Sequence, residues 1–102
     1  MEYQLRQYRI RAGEMDAFLD EWRRDLYPLR QKFGFTVVGA WRVAGADEFL
    51  WIIGYGGADG FAAADARYYA SPERKRIDPD PARHIEAPIT RRMTSVLPDR
   101  GS

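Results

Sequence analysis

His84 is the single histidine of this 102-residue chain, and its ordinary pKa makes it the natural acid–base group near neutrality. At the start of a strand that enters a cavity it would serve as a general base, or as a ligand to heme iron. The sequence around it offers no triad and no orienting partner, so a surface histidine beside a proline-rich turn is the simpler expectation. Asp78, Asp80, His84 and Glu86 together present donors that suit a hard cation better than zinc. Their spacing matches no ligand pattern, and Pro79 and Pro81 explain both aspartates as turn residues. No metal is expected.

Arginine is the second group with chemical reach. Arg6 or Arg92, if turned inward from a strand, would bind a carboxylate or an enolate. Arg74-Lys75-Arg76 and Arg91-Arg92 are basic clusters, but Glu73, Asp78, Asp80 and Glu86 lie close by, so solvated charge is the default and nucleic acid is not expected. Gly54, Gly56, Gly57 and Gly60 sit between a strand and a helix, as a phosphate loop would. The spacing fails, however, because Asp59 takes the third glycine's place and no Walker lysine follows. The aromatics Tyr8, Trp22, Trp41, Trp51, Tyr55, Tyr68 and Tyr69 exceed what filling a small core requires. Most are expected in the core and at an interface, with a subset lining an aromatic pocket. Arg6, Tyr8, Trp51, Tyr55, His84 and Arg92 form the candidate ligand-binding set, with His84 the catalytic candidate.

The elements that would position these residues follow from periodicity. Residues 3–10 read as a strand. Met15, Phe18, Leu19, Trp22, Leu26 and Leu29 form one apolar helical stripe, from which Arg23, Arg24, Arg30 and Lys32 largely fall away. Pro28 should end or kink that helix near Tyr27, and Gly34 should stop the second piece. Residues 35–43 and 48–55 read as a β-hairpin about Ala44-Gly45-Ala46-Asp47. One residue of register would decide whether Trp41 and Trp51 share a face. Asp59 is placed to cap a helix over 60–70, and Ser71-Pro72 to open a short one towards Ile77. Residues 86–97 read as a last strand.

The order β-α-β-β-α-β is the ferredoxin-like motif, an α+β fold with a four-stranded antiparallel sheet. Both helices should cover one face, yet the two central hairpin strands are apolar on both of their faces. A second copy is the simplest cover for the other face. The expectation is a homodimeric barrel of one domain per chain over 1–98, with a flexible tail at 99–102.

Composition is globular, at 45% hydrophobic and 30% charged residues, with a net charge of +1 and no cysteine. There is then no thiol nucleophile, no disulfide framework and no electrostatic case for nucleic acid or an anionic membrane. The N-terminus lacks the continuous apolar run of a signal peptide. A cytoplasmic protein is the expectation.

YQLRQYRI, then Gly13, Phe18 and Trp22, then Pro28-Leu29-Arg30, Gly34-Phe35 and Val38-Gly39-Ala40-Trp41 resemble the NIPSNAP family. The match is strong over the first half, agrees in element order over the second, and is weakest in SPERKRIDPDPARH. The resemblance implies a dimeric α/β barrel. It carries no agreed catalytic set, and no cofactor is expected, since heme could be held only through His84 and the spacing does not indicate it. Three functions follow: binding of a small organic molecule in the barrel cavity, a cofactor-independent monooxygenase or isomerase/cyclase acting on an aromatic or polyketide-like substrate, or a structural dimer with a filled barrel. The second rests on the wider fold group and is analogy at the level of fold.

Overall fold

A computed structural model describes residues 1–98, so the tail expected at 99–102 lies outside the described residues. Four antiparallel strands form one sheet: β1 (Glu2–Ile10), β2 (Thr36–Arg42), β3 (Glu48–Tyr55) and β4 (Ile85–Met93). Their spatial order is β2-β3-β1-β4. Between β1 and β2 run α1 (Met15–Glu21), a five-residue π-helical turn (Trp22–Leu26) and α2 (Tyr27–Lys32). Between β3 and β4 run α3 (Phe61–Ala70), α4 (Pro72–Lys75) and a 3₁₀ turn (Pro81–His84). This is the expected ferredoxin-like α+β architecture. The last strand ends at Met93, four residues before the expected limit, and Val96 and Leu97 are fully exposed.

Alternation along the strands sorts the side chains. Arg6, Tyr8 and Ile10 of β1 and Phe49, Trp51 and Ile53 of β3 are buried under the helices. Phe18 of α1 is completely buried, with edge-on contacts to Phe49 at 5.1 Å and Tyr8 at 6.3 Å. Trp22 meets Trp51 edge-on at 5.3 Å. These aromatic pairs join the helix layer to the sheet.

Pro28 marks the division expected near Tyr27, where the π-helical turn passes into α2. It has no N–H for the carbonyl four residues back, and the chain answers by widening the preceding turn. Tyr27 N–H donates to the Trp22 carbonyl, one residue further than in an α-helix. The wider turn brings Trp22 and Tyr27 into a stack at 5.2 Å. Gly34, at φ 89°, then supplies the left-handed stop.

Trp41 and Trp51 lie on opposite faces. The β2–β3 register shifts between Val37 and Gly39, so Ala40 opposes Trp51 and Trp41 opposes Leu50. Without that extra residue, Trp41 would have faced the helices. Its indole instead lies over Gly39 on the open face, half-exposed. Leu5, Leu50, Ile52, Val38 and Ile89 share that face, as the pairings Leu5↔Ile52 and Gln7↔Ile89 show.

Candidate functional site

Helix α2 carries Arg30 eight residues after Trp22 and four after Leu26, which keeps it on the sheet-facing side. It is 1% exposed, the most deeply buried charged residue among those described. Its guanidinium lies over the Tyr68 ring at 3.8 Å and over the Phe35 ring at 4.7 Å. Nη1 donates to Asp65 Oδ1 at 2.7 Å, and Nη2 to the Tyr69 hydroxyl at 3.2 Å. Arg6, from β1, reaches the same two partners. Its Nη2 donates to both Asp65 oxygens at 3.1 and 3.2 Å, and its Nη1 to Tyr69 at 3.0 Å. One carboxylate thus holds two buried guanidinium groups. Aromatic faces and charge-assisted bonds offset part of the cost of burying them.

Beside this cluster a narrow cleft of about 40 Å³ opens between sheet and helices, lined by Tyr8, Trp51, Leu26, Arg30, Tyr68 and Ile85 among others. It shares Tyr69, Arg74 and Ala82 with an open outer basin of about 540 Å³ that also touches Ile77 and Lys75. Arg74 is 8% exposed, and its Nη2 donates to Asp80 Oδ1 at 2.8 Å. Burial works against the Asp80 charge, but bonds from Arg74 and the Ala82 N–H outweigh it and hold the carboxyl below its ordinary range. Trp51 Nε1 donates to the Tyr8 hydroxyl at 3.2 Å. Burial pushes the Tyr8 phenol up, against the pull of Arg6 and Trp51, so Tyr8 enters the cleft as a neutral hydroxyl able to donate.

A four-stranded antiparallel sheet under a layer of helices has many owners, and sequence decides among them. A model of the NIPSNAP family matches residues 3–96. The chain belongs to the NIPSNAP family. An uncharacterized NIPSNAP domain protein from Burkholderia xenovorans superposes with a TM-score of 0.83 at 20% identity, over 97% of this chain and 100% of that one. A NIPSNAP family protein of unknown function from Agrobacterium tumefaciens gives 0.79 at 25% identity, over 100% and 91%. An antibiotic biosynthesis monooxygenase gives 0.72 at 18% identity, over 95% and 100%, a likeness of fold. No curated protein matches the sequence.

On this NIPSNAP fold, three of the six residues expected to bind a ligand come together: Arg6, Tyr8 and Trp51 share the helix-facing side of the sheet about the cleft. The other three lie elsewhere. Tyr55 donates its hydroxyl to Asp59 at 2.8 Å and accepts from Arg67 at 3.2 Å. Asp59 is thereby drawn away from the expected capping role, and Gly60 precedes α3 without a side-chain cap. Arg92 is largely exposed and pairs with Glu2 at 3.2 Å. His84 is not a surface residue but 5% exposed, its Nδ1 2.7 Å from Glu14 and its Nε2 2.9 Å from Glu21. Two carboxylates on the two ring nitrogens call for an imidazolium. Burial opposes that charge, and the bonds to Glu21 and Glu14 overcome it, so the pKa is raised. His84 clasps the 3₁₀ turn to α1.

Among the described residues no group of three or more His, Asp or Glu side chains is placed to hold a metal ion. Nor is any helix long and apolar enough to cross a membrane. Sequence reasoning missed Arg30, Asp65, Tyr69 and Arg74. The signal for Arg30 was its spacing of four from Leu26. For Asp65 it was a place one residue after buried Ala64 and three before buried Tyr68 on α3. Arg74 had been taken for solvated charge. Its helix is held close to the core because the Ser71 hydroxyl accepts the Arg74 N–H at 3.1 Å, the capping role expected of Ser71.

Proposed function

We propose that this NIPSNAP protein is a homodimer in which each protomer binds a small organic molecule in the cleft and basin between sheet and helices. The observation that carries the ligand reading is one space walled by Tyr8, Trp51, Tyr68 and Tyr69, at which Arg30 and Arg74 converge. The cleft has an aromatic wall with a few directed polar groups, the usual build of a small-molecule site; the adjoining open basin has the volume for a larger group and is lined by Tyr69, Ile77 and Ala82 among charged side chains. The space lies on the helix side of the sheet and is separate from any interior that two open faces would enclose. The dimer reading rests on the open face, where Trp41, Val38 and Ile89 are about half-exposed. A second copy of the same sheet would cover it with a self-complementary surface.

Binding is preferred to catalysis on chemical grounds. His84 is committed to Glu14 and Glu21, away from the cleft lining. The cleft itself offers phenols and guanidinium groups, which stabilise an oxyanion but do not take up a proton near neutrality. A cofactor-free monooxygenase or isomerase, the reading suggested by the fold shared with the antibiotic biosynthesis monooxygenase, would have to draw its base from the substrate or the basin rim. Native mass spectrometry of freshly purified protein tests the proposal. A dimer carrying an organic mass that denaturation releases is the expected result. A monomer at micromolar concentration in equilibrium sedimentation would overturn the dimer.

A further inference from the structure

We infer that the molecule taken by this cleft is an organic carboxylate, its acid group seated between Arg30 and Arg74 and its organic body against Tyr69, Ile77 and Ala82 in the outer basin. The inference rests on the reading of the cleft as a binding site and narrows it to one chemical class. Three observations carry it.

The first is charge. Arg6 and Arg30 are both buried and share the single carboxylate of Asp65. One positive charge is left uncompensated inside the fold. An uncompensated charge out of water is costly, and a bound anion relieves the cost. The cation–π contacts of Arg30 with Phe35 and Tyr68 help to hold the charge in the meantime.

The second is hydrogen bonding. The Nε atoms of Arg30 and Arg74 are buried donors without a partner, and both residues line the cleft. Buried guanidinium N–H groups are normally satisfied, so two unpaired donors on residues that line one cleft leave these guanidinium groups short of acceptors, which a small shift of either side chain towards a bound anion would supply. A carboxylate is acceptor-only and presents two oxygens. The hydroxyl of Tyr8, which accepts from Trp51, keeps its own proton to donate. A cationic ligand would meet two arginines there, and a neutral amide would offer one acceptor oxygen and no charge.

The third is shape and exchange. The cleft of about 40 Å³ admits a group of a few atoms, while the adjoining basin of about 540 Å³ admits a ring system. Arg74 stands where the two meet. Its present partner is Asp80, a half-exposed side chain at the basin rim. A ligand acid group can take that partner's place while Asp80 turns to water. Asp80 thus acts as an internal competitor that sets affinity, and Arg74 as the residue that selects charge.

The probes are 2-naphthoate and its neutral isostere 2-naphthamide, titrated into the intact protein by calorimetry and followed at the Trp51 indole N–H by NMR. Naphthoate is expected to bind at least about tenfold more tightly than the amide, the scale of one charge-assisted pair. Arg74→Gln should abolish that preference. Asp80→Asn, which keeps an oxygen able to accept the Ala82 N–H, should tighten naphthoate by about threefold or more and leave the amide unchanged. The Asp80 variant keeps the test decisive if Arg74→Gln fails to fold. If both probes shift the Trp51 indole with equal affinity, the cleft is a binding site but not one for carboxylates, and this inference fails alone. If neither probe moves Trp51, the inference and the reading beneath it fail together.

Discussion

Asp65→Asn is the most informative single change, because two buried cations share this one carboxylate. Arg30 Nη1 lies 2.7 Å and Arg6 Nη2 3.1 Å from the same Asp65 oxygen. The two guanidinium groups therefore stand within about 6 Å of each other. At an effective dielectric of about 20, two unit charges at that distance repel by about 3 kcal/mol. In the native protein the Asp65 charge cancels this. Asparagine keeps the shape and one acceptor oxygen but none of the charge. Removing one partner from a buried pair typically costs about 3–5 kcal/mol. Asp65 is about a quarter exposed, so water relieves part of it, and we expect a loss of about 3 kcal/mol. For a domain of this size that lowers Tm by about 12–24 °C. Urea unfolding at one fixed protein concentration is the assay, since dimerisation would make stability concentration-dependent. Arg6→Gln in the Asp65→Asn background removes one of the two repelling charges. The loss in the double variant should fall about 1–2 kcal/mol short of the sum of the single losses. An Asp65→Asn protein within about 1 kcal/mol of the parent, or strict additivity in the cycle, would refute the argument.

Two further predictions concern regions outside the cleft. The His84 clasp should make stability depend on pH. A raised histidine pKa contributes stability that is complete below the ordinary histidine value and is lost as pH rises through the folded value. The Glu21 carboxyl is held low, first by the Arg83 hydrogen bond and also by His84, so its contribution is lost as pH falls through its own folded value. The urea midpoint should therefore be greatest in the window between the two and decline on the alkaline side, and His84→Gln should flatten that decline. An unchanged alkaline limb in His84→Gln would contradict the clasp. Gly39→Ala would put a methyl group inside the Trp41 indole. The indole must leave its seat on the open face, so the variant should dimerise at least about tenfold more weakly in sedimentation while keeping the parent circular dichroism. Unaltered association would remove Trp41 from the proposed interface.

The element order was legible because each element carries its own period, and Gly34, Ser71 and the hairpin turn punctuate it. The Trp41 side was not legible. It depends on one extra residue between Val37 and Gly39, and a bulge leaves alternation intact on either side of it. The division of the helix near Pro28 was legible, but the π turn that makes it was not. Proline forbids one hydrogen bond, and a single π turn accommodates the loss without ending the helix. The site divides along the same line. Tyr8 and Trp51 stood out for aromatic character and Arg6 for its charge on a strand, and the register then put all three on the helix-facing side. Arg30, Asp65 and Arg74 look like solvated charge on helices, and their burial depends on partners 35 residues away in the case of Arg30 and Asp65. Long-range pairing of that kind leaves almost no local trace. His84 drew attention for its chemistry, yet Glu14 and Glu21, from the opposite end of the chain, turn it into a structural clasp.

The central claim is that the space between Trp51 and the helices takes a small organic molecule, and the three tryptophans make it directly testable. Trp51 lines the cleft with its Nε1–H on Tyr8, Trp22 lies in the core behind it, and Trp41 sits on the far side of the sheet. The measurement is an NMR titration of the three indole N–H signals with a library of small aromatic and aliphatic acids, amides and amines. The account predicts saturable shifts of the Trp51 signal with some of these compounds while Trp41 stays in place. A Trp51 signal that no compound moves, or shifts confined to Trp41, would contradict it.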